Sequence, residues 1–136
     1  KVMSYLGRRN ITCKVDTLSG VIARLNHTDA VIDILKMDIE GSELDVLLDV
    51  AKNNPDIFKN INQILMEIHT IEDYYWHTGN SRNTTVADYW QVVQLLKCHG
   101  YRLLHSNHIR GWLGKFNFEL NGKTRSCCYE TTWIKV

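Results

Sequence analysis

The segment VIDILKMDI (Val31 to Ile39) is apolar almost throughout, broken by Asp33, Lys36 and Asp38, and it leads through Glu40 into Gly41. A near-continuous apolar run of this length predicts a strand covered on both faces, as in a parallel sheet. Gly41 lets the backbone turn sharply. Ser42 then reads as a helix N-cap, with Asp45 at the capping-box position. Glu43 and Asp45 in the first turn complement the positive end of the helix dipole. The helix carries Leu44, Leu47, Leu48 and Ala51 on one face and ends near Asn53-Asn54-Pro55, because proline disfavours helix in the residue before it.

The flanking segments extend this alternation. Asn10 to Val15 reads as a short β-branched strand, and Thr17 caps a helix bearing Leu18, Val21, Ile22 and Leu25. INQILMEIH (Ile61 to His69) is a second buried strand. Thr70 to Thr85 reads as a long loop rich in aromatics, among them Tyr74, Tyr75 and Trp76. Val86 to His99 is an amphipathic helix with Tyr89, Trp90, Val93 and Leu96 on its apolar face, stopped by Gly100. Tyr101 to Asn107 is a strand, Gly111 to Lys123 an excursion, and Cys128 to Val136 a closing strand paired antiparallel with its predecessor. The order predicts an α/β fold: a mostly parallel sheet with helices on both faces and an antiparallel C-terminal strand pair.

Composition narrows the function classes. With 136 residues the chain is one domain or part of one. Apolar residues at 44% and charged residues at 23% exclude intrinsic disorder, and a net charge of +1 gives no basic footprint for nucleic acid. No apolar run reaches the roughly 18 residues of a membrane span. The chain begins on Lys1 without the features of a signal peptide, so residues 1–136 are expected to be the C-terminal part of a longer domain. Cys13, Cys98, Cys127 and Cys128 have no CxxC spacing, which disfavours a four-cysteine zinc site. Free or buried thiols are the simplest reading of them. Cys127 and Cys128 point to opposite faces of a strand, so they are not expected to pair with each other. Three sequons, at Asn10, Asn26 and Asn83, together with the cysteines leave a secretory lumen and the cytoplasm evenly balanced.

Ligands of such sheets bind beyond the carboxyl ends of the strands. Asp38 and Glu40 lie two apart on an extended segment and project to the same side; Glu67 and His69 repeat that arrangement on the neighbouring strand. The four groups suit general acid–base work, a proton relay or a single divalent cation. An ionised acid at the end of a buried strand needs a partner or a use. Lys36, two residues before Asp38, is the structural alternative. Glu43 reads as a helix-dipole residue and His69, in its structural role, as a hydrogen bonder. Trp90, Trp112 and Trp133 read as packing residues.

The stretch ILKMDIEGSELDVL (Ile34 to Leu47) resembles the signature of FkbM-type methyltransferases and their animal methyltransferase-like relatives, with Lys36, Asp38, Glu40, Gly41 and Glu43 at matching positions. Gln63 to His69, Gly100 to Asn107 and the closing CYETTWIKV resemble later strands of that family. The resemblance implies a class I, Rossmann-like fold using S-adenosylmethionine, with Asp38 and Gly41 on the cofactor side. It also implies an acid such as Asp38 or Glu40 taking the proton of a hydroxyl on a small molecule or glycan. Metal use does not follow from it. The family's Gly-rich turn is absent, since Gly7 and Gly20 form no GxGxG after a strand. The segment is therefore expected to be the C-terminal half of a catalytic domain, inactive and without cofactor affinity by itself. The competing readings are a metal-dependent hydrolase or phosphoesterase built on Asp38, Glu40, Glu67 and His69, and a methyltransferase-like domain that has lost catalysis.

Overall fold

The computed structural model describes residues 2–3, 10–11, 14–39, 41–69, 86–109, 117–120, 123–126 and 128–136. In chain order the elements are β1 (Val2–Met3), β2 (Asn10–Ile11), α1 (Leu18–Arg24), β3 (Ile32–Met37) and α2 (Glu43–Asn53). A 3-10 helix (Pro55–Asn60), β4 (Ile61–His69), α3 (Val86–Cys98), β5 (Tyr101–His108), β6 (Asn117–Leu120), β7 (Lys123–Ser126) and β8 (Cys128–Lys135) follow.

The main sheet has the order β3-β4-β8-β5. Strands β3 and β4 are parallel, with Leu35 beside Ile64 and Met37 beside Met66. Strand β8 is antiparallel to both its neighbours: Trp133 lies beside Ile64 on one side and Leu103 on the other. The fold is thus α/β with a mixed sheet. The closing strand pairs with its predecessor as expected and also inserts between β4 and β5. The small pairs β1-β2 and β6-β7 are separate; β6 lies within the expected excursion over Gly111 to Lys123, and its antiparallel partner β7 begins at the end of that stretch and runs past it.

Helices α2 and α3 pack side by side on one face of this sheet. Their Leu44, Leu47, Val50, Val92 and Leu96 close over Met37, Ile64, Met66 and Trp133 to form the core. Three of the expected boundary devices are present. Thr17 Oγ1 accepts from the Gly20 N–H at 3.0 Å at the start of α1. Pro55 opens the 3-10 helix just after α2. Gly100, at φ +84°, takes the left-handed turn after α3 that only glycine adopts without strain. Tyr101 ties the 3-10 helix to the sheet, its hydroxyl shared between the carbonyl oxygens of Phe58 (2.9 Å) and Ile61 (2.7 Å). Lys135 Nζ donates to the carbonyls of Phe58 and Lys59 at 2.7 and 2.8 Å.

Among the described residues β3 stands at the border of the main sheet, and its Ile34, out of phase with Leu35 and Met37, is 55% exposed. Three expectations need correction. Of the strand expected over residues 10–15, Asn10–Ile11 is strand, Lys14 and Val15 are not, and residues 12–13 lie outside the described ones. Trp90 is 59% exposed instead of packed, because it stands about 100° around the helix from Tyr89 and outside the arc defined by Val92, Val93 and Leu96. Ser42 makes no side-chain cap bond to α2. Trp133, at 2% exposure, does belong to the core. The aromatic loop with Tyr74, Tyr75 and Trp76, and Trp112, lie outside the described residues. Among the described residues no helix is long and apolar enough to cross a membrane.

Candidate active site

The carboxyl rim of β4 brings together side chains from three elements. Glu43, the first residue of α2, is buried at 3% exposure, and one carboxylate oxygen collects three donors. Oε1 accepts from the Ile39 N–H at 3.0 Å and from the Gly41 N–H at 3.2 Å, and it lies 3.1 Å from His69 Nδ1. Glu43 therefore does the local work assigned to Ser42: it ties down the turn between β3 and α2. Gly41 permits that turn, at φ +92°, with nothing within 4 Å of the place a Cβ would occupy.

His69 ends β4 and is 7% exposed. A carboxylate only accepts, so the proton of this pair sits on Nδ1. On the other side of the ring Nε2 lies 3.3 Å from Oε1 of Glu67, whose side chain is partly open to solvent. The imidazole thus stands between two carboxylates. Tyr89 of α3 donates its hydroxyl to the His69 carbonyl at 2.5 Å, which anchors the strand end to the helix. Burial alone pushes the Glu43 carboxyl up. The hydrogen bond from His69, those from the Glu43 and Ile39 backbone and the His69 charge outweigh it and hold Glu43 below the ordinary value of 4.5.

This group opens on a cavity of about 410 Å³ between α2, α3 and the sheet. Its walls are Leu44 and Leu47 of α2, Val92 and Val93 of α3, and Met66, Ile68 and Trp133 of the sheet. Gly41, Glu43, His69 and Ser106 lie where the carboxyl ends of β3, β4 and β5 reach it.

Of the residues expected from sequence, the structure brings Glu67 and His69 together and puts Gly41 at the cavity. Asp38 is exposed and does not line it. Water reaches Asp38 there, where β3 stands at the border of the sheet among the described residues. Lys36 is exposed as well, and the two form no ion pair among the described residues. Glu40 lies outside the described residues. Sequence reasoning missed Glu43 as a site residue. The signal was an acid placed directly after a glycine turn at a helix start, able to reach back to the strand-end N–H groups.

Glu67, His69 and Cys128 offer ligand atoms within 4.8 Å of one another, a spacing compatible with a cation. Cys128 is disulfide-bonded, however, so it presents no thiolate. The reading of all cysteines as thiols is corrected at this position; Cys98 is a free, exposed thiol. Cys13 and Cys127 lie outside the described residues. Asp38 does not join the cluster, so the four-residue cation site expected from sequence is not assembled by the described residues.

Comparison with curated proteins returned no match. The family model of the methyltransferase FkbM domain matches residues 4–103, a span that includes Glu43, Glu67 and His69 and stops short of β8. With well over half of its length matched, the chain belongs to the methyltransferase FkbM domain family.

Proposed function

We propose that this chain is the acceptor-facing part of an S-adenosylmethionine-dependent O-methyltransferase in which His69, held by Glu43, receives the proton of the acceptor hydroxyl. The observation that carries the reading is the buried Glu43–His69 pair at the mouth of an apolar cavity, in a chain of a methyltransferase family.

The residues present suit one side of the cofactor. Asp38 offers an exposed carboxylate at the end of β3, and the open Cα of Gly41 beside it leaves room for a close approach. Such a surface complements a cationic group, and Glu40 adjoins it in sequence. When bound, S-adenosylmethionine supplies a methyl group on a sulfonium, which keeps the bonding pair as the acceptor oxygen takes the carbon. The protein's work is then alignment, exclusion of water and proton removal. Glu43 fixes the His69 tautomer, so Nε2 is the basic nitrogen. Nε2 takes the acceptor proton and passes it to Glu67 Oε1, from which it reaches solvent. Two flanking carboxylates stabilise the imidazolium formed on the way. The acceptor is a hydroxyl on a small molecule or a glycan.

Asn26 is proposed as a glycan acceptor. Its sequon Asn26-His27-Thr28 lies exposed in the turn after α1, and the Cys128 disulfide is the chemistry of an oxidising compartment. A mass shift on glycosidase treatment of secreted protein, absent in Asn26→Gln, tests it.

The test of activity is transfer of labelled methyl by the full-length protein. His69→Gln is expected to lower turnover about 100-fold or more, the usual range for a general base. Asp38→Asn is expected to raise the Km for the cofactor, with Asp33→Asn as the neutral control. Transfer that is indifferent to His69→Gln overturns the role of His69. No transfer by the intact wild-type protein supports the reading of a domain without catalysis.

A further inference from the structure

We propose that the cavity between α2, α3 and the sheet takes an apolar ring or chain scaffold carrying one hydroxyl, and that it rejects sugars. Calling the occupant an acceptor rests on the methyltransferase reading; its binding does not.

The chemistry of the walls carries the argument. Leu44, Leu47, Val92, Val93, Ile68 and Trp133 offer no hydrogen-bonding atom to the cavity except the indole N–H of Trp133. That N–H is already committed to Thr131 Oγ1 at 3.2 Å, and Thr131 in turn donates to the Met66 carbonyl at 3.2 Å. Among the described residues the remaining polar groups of the lining are the Glu43–His69 pair, Ser106, Lys97 and the hydroxyls of Tyr89 and Tyr129, of which the Tyr89 hydroxyl is already committed to the His69 carbonyl. A sugar ring entering this space would strip water from all its hydroxyls and leave those that face the Leu, Val, Ile and Met walls without partners. Each hydroxyl left unpaired weakens binding by roughly tenfold. An apolar scaffold meets the opposite balance, since every surface it buries is favourable. The volume, about 410 Å³, is at the lower end of ligand pockets and suits a fused ring system. With the scaffold along α2 and α3, its hydroxyl lies at the rim beside His69, where the cofactor side begins. The narrow polar end thus selects both the class of molecule and its direction of entry.

The experiment is equilibrium binding to the 136-residue chain, read by tryptophan fluorescence and calorimetry. The probes are 1-naphthol, 1-methylnaphthalene and methyl α-glucopyranoside. Saturable binding of 1-naphthol is expected, at least tenfold tighter than the glucoside. Val93→Trp, which fills the cavity, is expected to weaken 1-naphthol at least tenfold. His69→Gln is expected to erase the preference for 1-naphthol over 1-methylnaphthalene. Equal or tighter binding of the glucoside, or 1-naphthol binding unaffected by Val93→Trp, overturns the proposal. Should Val93→Trp fail to fold, the Met66 methyl and Trp133 indole resonances of the wild type decide, and unmoved resonances under 1-naphthol overturn it. In the full-length protein, methyl transfer to sugars but not to apolar alcohols overturns this inference and leaves the methyltransferase reading standing. Cavity binding of 1-naphthol without methyl transfer to any acceptor does the reverse.

Discussion

Glu43 and His69 stand 26 residues apart in sequence, yet Oε1 of the one and Nδ1 of the other meet at 3.1 Å inside the fold. The contact joins the start of α2 to the end of β4. It also closes the turn through which β3 enters α2, because the same carboxylate oxygen holds the N–H groups of Ile39 and Gly41.

Removing one member strands the other. Glu43→Ala leaves three donors without their acceptor and is expected to cost about 3 kcal/mol, as is typical when a buried pair is broken. In a double-mutant cycle with His69→Ala, a coupling of at least about 1 kcal/mol is expected from urea unfolding. Strict additivity would show that the pair does not act as a unit.

Glu43 also sets an acid limit. Its carboxyl lies below the ordinary 4.5 in the folded chain, so its contribution is complete above that value and is lost as pH falls through the lower folded one. The stability gap between wild type and Glu43→Gln should therefore be constant near neutrality and shrink below pH 4.5. Unfolding midpoints from pH 7 to pH 3 check this, and a gap independent of pH contradicts it.

Tyr101 sets the alkaline limit. Burial raises its hydroxyl from 10.0 to about 12, so the stabilisation is whole below pH 10 and is lost as pH rises toward 12. Two pH units correspond to roughly 2.7 kcal/mol at most. Tyr101→Phe is expected to be less stable by about 1 kcal/mol at pH 7 and to lose less between pH 9 and 11. Equal alkaline losses in the two proteins would count against this.

Gly41→Ala isolates backbone strain. A Cβ at residue 41 meets nothing within 4 Å, so any penalty comes from φ +92°. About 1 to 2 kcal/mol is expected by thermal unfolding. Gly41→Asn should cost less than Gly41→Ala, since asparagine tolerates the left-handed region better.

Much of this arrangement was legible in the residues themselves. The apolar runs of β3 and β4, the Thr17 cap, Pro55 and Gly100 each act locally, so they marked element type and ends. The Glu67–His69 juxtaposition followed from strand periodicity. What depended on the third dimension was harder to read. Asp38 was expected to need a partner or a use at the end of a covered strand, whereas among the described residues β3 borders its sheet and Asp38 is exposed. Glu43 looked like an ordinary first-turn acid, and only folding brings His69 within its reach. Trp90 shares sequence neighbours with the apolar arc of α3 but not its direction. The Cys128 disulfide left no trace in cysteine spacing.

The position of β8 imposes an order on assembly. The strand that joins β4 to β5 is the last of the four to leave the ribosome, and Gln63 must wait for Ile134 before its second neighbour exists. Until then, among the described residues, β4 has one partner and β5 has none, so two of the sheet's three ladders depend on distant contacts made late. Such a nascent chain folds slowly and leaves β4 open to wrong partners in the meantime.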